Sequence, residues 1–188
     1  MSEKHNPRQF VLSRAHRRFL NLALPLPGAD EHSPALQTVE FASGSRSLFN
    51  AHIATAGVPR GGILLGHRVS DRLHVHAILG AGYGQATIHP LEVDPQYALG
   101  AVEAAQQVSG DPLDWIGTWT MPADGRARPA HTDRRVWYRA RHRALISEEA
   151  VLVTVGQSPE RLVVRAWVVD DDQPRALEVS WARAGDAS

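Results

Sequence analysis

The sequence predicts a single mixed domain of the α/β (α+β) class, and three observations carry that expectation. Short runs such as RLHVHAIL (72–79) alternate apolar and polar residues, which is strand periodicity. Two stretches, 45–57 and 94–110, combine helix-capping residues with apolar residues at helical spacing. The two kinds of element interleave in the order strand, helix, two strands, helix, strand, loop, helix, three strands, which is the pattern of a mixed sheet flanked by helices.

The elements follow from local chemistry. ALQTVEFA (35–42) alternates as a strand. SRSLFNAHIATAG follows as a helix, with Ser45 as its cap, Leu48, Phe49 and Ile53 on its apolar side and Gly57 as its stop. GGILLGHR (61–68) is a short apolar run after paired glycines, which predicts a buried strand, and RLHVHAIL alternates as another strand. In the latter, Val75 is expected to face inward, with His74 and His76 on the solvent side. GAGYG (80–84) lacks the spacing of a dinucleotide loop and reads as a turn. DPQYALGAVEAAQQVSG begins with Asp94 as N-cap and Pro95 at the first helical position, and Gly110 ends it. DWIGTWT (114–120) is the next strand, HTDRRVWYRARHRALI (131–146) a helix, and AVLVTVG, RLVVRAWVV and RALEVSW close the chain as three strands with turns at QSPE and DDDQP.

Composition bounds the function. With 188 residues, 43% of them hydrophobic and 21% charged, the chain has the make-up of a globular domain with a sizeable core. Twenty basic and twenty acidic residues balance, so no whole-molecule field draws the protein to nucleic acid or anionic lipid. The absence of cysteine excludes disulfides, Cys-based zinc sites and a thiol nucleophile. No apolar run approaches the roughly 18 residues that span a bilayer. FLNLALPLPG follows basic residues, but it is short, holds Asn21, Pro25 and Pro27, and lacks an A-x-A site, so a cytoplasmic location is expected. The expected organisation is a basic N-terminal extension over 1–34, the domain over 35–183 and a flexible tail over 184–188.

The chemistry concentrates in GTWTMPADGRARPAHTD (117–133), which joins an apolar strand to an Arg-rich helix. Together with RGGILLGHR, DWIGTW, the HTDRR helix start and the final LVTVG…VVRAWVV pair, it resembles the JAB/MPN (JAMM) family in its short prokaryotic form, over about Val39 to Trp181. The resemblance implies a JAB/MPN-like (cytidine-deaminase-like) domain. In active members a glutamate precedes the glycine pair, and a strand ends in G-x-W-H-x-H-P followed by S-x-x-D. The histidines and aspartate bind zinc, the glutamate activates its water, and the serine helps hold the oxyanion. Such enzymes cleave bonds at the C-termini of ubiquitin-like proteins.

Position by position, the resemblance implies a degenerate site. Trp119 and Asp133 are fourteen residues apart, as in the family, so the loop length is kept. The histidine positions hold Thr120 and Pro122, the serine position Ala130 and the glutamate position Pro59, while Asp133 is retained. Proline offers zinc no side-chain donor, and a neutral threonine hydroxyl is a poor ligand beside imidazole. Pro59 cannot accept a proton and Ala130 cannot donate a hydrogen bond. The implied role is a catalytically inactive protein-interaction or scaffold module, with no cofactor. Its implied partner is a ubiquitin-like protein, a conjugating enzyme or an active JAB protein, bound by Trp119, Arg134, Arg135 and Trp137. Inactive members can receive a tail by adding it to a strand edge, and family members often pair through helices, which implies a dimer as one option.

Two other classes compete. A zinc metallopeptidase with a relocated site would use His131 and Asp133, which form H-x-D in the same loop, with zinc as cofactor. A nucleic-acid-associated module would use the seven arginines between Arg126 and Arg143 with Trp137 and Tyr138 between them. Against the latter, a helix starting near Asp133 buries Val136, Trp137, Ala140 and Ala144 and leaves the arginines on solvated sides, so nucleic acid is not the expected partner.

Overall fold

A computed structural model describes residues 34–54, 61–80, 94–109, 113–122, 125–129, 134–135, 137–138, 150–158, 161–170 and 173–183. The expected N-terminal extension, tail, Gly57 and Gly110 stops and GAGYG turn lie outside these residues, apart from Pro34 and Gly80.

Seven strands form one closed barrel. They are β1 (Thr38–Phe41), β2 (Gly61–Val69), β3 (Arg72–Gly80), β4 (Asp114–Thr120), β5 (Val151–Ser158), β6 (Arg161–Asp170) and β7 (Gln173–Trp181). Around the barrel their order is β1-β3-β2-β4-β5-β6-β7. The pairs β3–β2, β2–β4, β5–β6 and β6–β7 are antiparallel. The pairs β1–β3, β4–β5 and β1–β7 are parallel. Among the described residues two helices accompany the barrel, α1 (Ser45–Ala54) after β1 and α2 (Pro95–Ser109) between β3 and β4. Arg134, Arg135, Trp137 and Tyr138 are also helical.

This corrects the expected JAB/MPN-like (cytidine-deaminase-like) arrangement, in which an α/β sheet is flanked by helices. Short β1 closes the circle: Thr38–Phe41 pairs with Arg72–Val75 on one side and with Glu178–Trp181 on the other. Periodicity reports that one face of such a strand is buried, but not that two distant strands share it as a neighbour. Closure also removes the strand edge on which tail addition would depend, because every strand has a hydrogen-bonded neighbour on both sides.

The sequence folds into two apolar clusters because its strands bury different faces. Inside the barrel lie Val39, Phe41, Leu64, Leu73, Val75, Ile116, Trp119, Val153 and Val168, joined by Phe49 of α1. Phe49 makes edge contacts with Phe41 and Trp119, at ring separations of 5.6 and 5.5 Å. Outside, Ile63, Leu65, Trp115 and Leu152 pack with Ala98 and Val102 of α2 and with Trp137. β2 and β4 thus bury both faces, which explains the continuous apolar runs GGILLG and WIGTW.

The helix starts differ in mechanism. Asp94 caps α2 as expected: its Oδ1 accepts the backbone N–H groups of Gln96 (2.9 Å) and Tyr97 (3.2 Å). Ser45 does not cap α1. Its hydroxyl is buried and makes no hydrogen bond among the described residues, and the Gly44 carbonyl accepts from Ser47 and Leu48 instead. Leu48, expected on the apolar side of α1, is exposed, while Phe49 takes the core position.

Candidate functional site

The parallel pair β4–β5 needs a long connection, and the 117–133 loop is its first part. Gly117–Thr120 forms the end of β4 and pairs with Val151–Thr154 of β5. On the other side Thr120 is the register partner of Gly61, so the start of β2 and the end of β4 meet. Two of the five positions that the resemblance singles out, Thr120 and Pro122, are described, and both are buried. The Thr120 hydroxyl makes no hydrogen bond among the described residues. Pro59, Ala130, His131 and Asp133 lie outside those residues.

The four residues expected at a binding surface divide. Trp119 is fully buried, and its indole N–H donates to the Leu79 carbonyl at 2.8 Å. His52 of α1 packs on it at 5.4 Å between ring centroids, with Nε2 3.4 Å from the Ile78 carbonyl. Trp119 therefore ties α1, β3 and β4 together from within. Trp137 is buried in the outer cluster. Arg134 is half-buried, with an Nε that makes no hydrogen bond among the described residues, and Arg135 is exposed. Only Arg135 of the four presents itself fully to solvent.

Beyond Pro122 the loop returns to the barrel wall. The Gly125 N–H donates to the Pro122 carbonyl at 2.9 Å, and Gly125 takes a φ of 65°, which glycine adopts without strain. The next residues lie against Gly156 of β5. A Cβ at position 156 would stand 2.5 Å from the Ala127 nitrogen and 2.6 Å from the Gly125 oxygen. Glycine at 156 is thus what lets the loop backbone sit directly on the wall.

That seat creates a cavity of about 350 Å³ lined by Gly125, Arg126, Ala127, Arg128, Gly156, Val163 and Arg165. The strands supply its floor by alternation. Leu162, Val164 and Ala166 of β6 point into the barrel, so Val163 and Arg165 point out. Gly156 and Val163 are register partners, as are Thr154 and Arg165. Beside them Trp167 donates its indole N–H to the Thr154 hydroxyl at 3.0 Å. Three arginines, two from the loop and one from the barrel, therefore line one concavity.

Sequence reasoning saw Arg126 and Arg128 as part of a basic run but did not connect them with β5 or β6. The usable signal was the alternation Arg161, Val163, Arg165, which marks an outward row, and the glycine that interrupts the apolar run of β5.

A second polar cluster lies on the outer wall of β1, β3 and β2. As expected, Val75 faces inward while His74 and His76 do not. Across the sheet His67 stacks on His74 at 5.3 Å and approaches His76 at 4.8 Å. Glu40 faces the group, 3.2 Å from His74 Nδ1 and 3.3 Å from Arg72 Nη1. Desolvation holds the His74 pKa below its usual value. Glu40 opposes that shift, while His67 and Arg72 reinforce it. Among the described residues no group of three or more histidine and acidic side chains is arranged to hold a metal ion, and no helix among them is long and apolar enough to cross a membrane.

No protein-family model matches the chain, and no curated protein matches it. Solved structures do. The chain is similar to a protein of Desulfitobacterium hafniense determined in solution, at 15% identity and a TM-score of 0.58, over 78% of this chain and 95% of that one. A solution structure from Salinibacter ruber matches at 20% identity and a TM-score of 0.49, over 79% and 94% of the two chains. At this identity the first likeness concerns the fold alone, and it places the barrel among architectures already seen in a solved protein.

Proposed function

We propose that the protein is a catalytically inactive interaction module and that a protein partner engages the loop side of its barrel, over β5 and β6. The observation that carries this reading is the division of labour within one loop. Its first part, which the resemblance equates with a metal-binding segment, holds the buried Thr120 and Pro122. Neither side chain supplies what zinc chemistry asks of those positions. Its next part lies on Gly156 and lines a basic cavity. The reading takes the alignment of this loop from the resemblance but not the JAB/MPN architecture, which the closed barrel has replaced.

The test uses the full-length chain in its own cells. A photo-crosslinking amino acid replaces Arg161, which is exposed on the same outward row as Val163 and Arg165, and in a control replaces Val108, 90% exposed on α2. A discrete protein adduct from position 161 and none from 108 is the expected result. Ubiquitin-like proteins, which the resemblance implies, are the first candidates to identify in the adduct. Cleavage of a ubiquitin-like fusion by the purified protein, abolished in Asp133→Ala, would overturn the reading in favour of the relocated zinc peptidase.

A further inference from the structure

We propose that the outer wall of β1, β3 and β2 is an acid-operated switch: proton uptake drives His67 apart from His74 and His76 and shifts the bulge of β3 on which His76 sits. The inference goes beyond the interaction reading above and does not depend on it. Three imidazoles meet on this wall. His67 of β2 lies 5.3 Å from His74 and 4.8 Å from His76 of β3, between ring centroids. Glu40 of β1 holds the edge of the group, with Oε2 3.2 Å from His74 Nδ1 and 3.3 Å from Arg72 Nη1. A carboxylate accepts, so neutral His74 carries its proton on Nδ1 and takes up the second on Nε2.

Neutral rings pack at these separations, whereas charged ones repel. A proton on His67 sets a cation against both neighbours at once, and groups coupled so closely take up their protons in separate steps. Burial already holds the His74 pKa below the usual histidine value, His67 and Arg72 add to that, and Glu40 opposes it. Glu40 is shared with Arg72, so its one charge is divided between two cations once His74 is charged. The other charged groups on the neighbouring elements have different surroundings. Arg68 of β2 donates to the Ser70 and Pro34 carbonyls, and Asp114 of β4 accepts the Trp115 N–H. Arg46 and His52 of α1 lie on Trp181 and Trp119. Glu178 of β7 is level with Thr38 rather than with Glu40, and Tyr97 and Glu103 of α2 are exposed.

The backbone beneath the rings is built to yield on one side. Leu65 is the register partner of Ala77 and Gly66 that of Val75, so the register passes over His76 and β3 holds one residue more than β2. Such a bulge interrupts the ladder locally and re-aims the side chain it carries. β2 has no matching freedom, because its backbone at Gly66 lies so close to the His74 carbonyl that a Cβ there would collide with it. Repulsion between His67 and the rings of β3 is therefore relieved at the bulge, and a change of charge becomes a local change of shape.

The experiment follows the full-length protein by NMR from about pH 7.5 to about pH 5.5, a range that spans histidine titration. Expected in acid is the loss of the NOEs between the ring protons of His67 and those of His74 and His76. With it, the protection of the Val75 and Ala77 amides against exchange, corrected for the intrinsic effect of pH, should fall about tenfold. Amides of Leu152–Val155, on β5, should keep theirs. His67→Gln removes the ring that contacts both others and should abolish the acid response of Val75 and Ala77. His76→Gln, at an exposed position, should do the same while leaving β2 unaltered. Ring contacts that persist at about pH 5.5 overturn the proposal. So does a loss of protection that survives in both variants, and so does one that spreads evenly to β5, which is general acid unfolding.

Discussion

The outer wall of the barrel carries two charged clusters that differ in how they are built. On the β1–β3–β2 side, Glu40 stands within 3.3 Å of both Arg72 and His74, so the acid that the cluster requires is supplied by the fold. On the β5–β6 side, two arginines of the loop and one of the barrel line a cavity. Both clusters arise from the same alternation of inward and outward residues on adjacent strands. What separates them is the covering element. A loop seated on Gly156 turns the arginine wall into a concavity. Charge alone therefore does not mark a binding site. Charge brought to one hollow by two separate parts of the chain is the more informative signal.

The largest perturbation attacks what both walls share. Trp119→Ala empties the barrel interior of a fully buried indole and leaves the Leu79 carbonyl without its donor. A loss of about 3–5 kcal/mol is expected, read from the midpoint of urea unfolding. Both walls should lose definition together, because α1, β3 and β4 meet at this side chain.

Gly156→Ala should break one wall and spare the other. The added methyl meets loop backbone on the far side, so either the loop lifts or the strand shifts, at a cost of about 1–3 kcal/mol. The expected signature is selective: amide signals of Gly125–Arg128 move, while those of Leu73–His76 stay in place. Equal disturbance of both regions in a heteronuclear NMR spectrum would contradict the idea of a locally seated loop.

A control away from both walls comes next. Asp94→Ala removes the two hydrogen bonds that begin α2 and should cost about 1 kcal/mol. Thermal unfolding should record that loss, with the histidine titration unchanged.

The smallest expected effect sharpens the histidine wall. His74 should titrate below the ordinary histidine value of 6.5, chiefly because burial penalises its charged form. The unfolded chain then takes up the proton more readily than the folded one as pH falls. The contribution of this group to stability is therefore unchanged above about pH 6.5 and declines below it. Glu40 raises the His74 pKa, so Glu40→Gln should push the midpoint lower still and steepen the acid loss. Following the His74 Cε1–H signal between about pH 8 and about pH 5 checks both statements, and a midpoint that rises in Glu40→Gln would refute the assignment of Glu40 as the opposing charge.

Much of the local structure was legible before any coordinates. Asp94 announced the start of α2, Val75 between two histidines announced a half-buried strand, and the apolar run GGILLG announced β2 as a buried one. These features depend on residues close together in the chain, where backbone geometry leaves few choices. Ser45 shows the limit of such reasoning, since a carbonyl one residue earlier took the role expected of its hydroxyl. The candidate site was less legible. Arg126 and Arg128 stood out as charge, yet nothing in their neighbourhood pointed to Gly156, Val163 or Arg165 roughly thirty residues later.

By itself the amino-acid sequence determined the strands, the two helix-forming stretches and the neutral charge balance. Tertiary structure alone decided that the strands close into a barrel, that Trp119 faces the interior, and that the loop comes to rest on β5. The physical reason is one of range. Periodicity and capping are set by interactions within a few residues, whereas closure depends on β1 pairing with both β3 and β7. The loop's position likewise depends on a single missing side chain at Gly156.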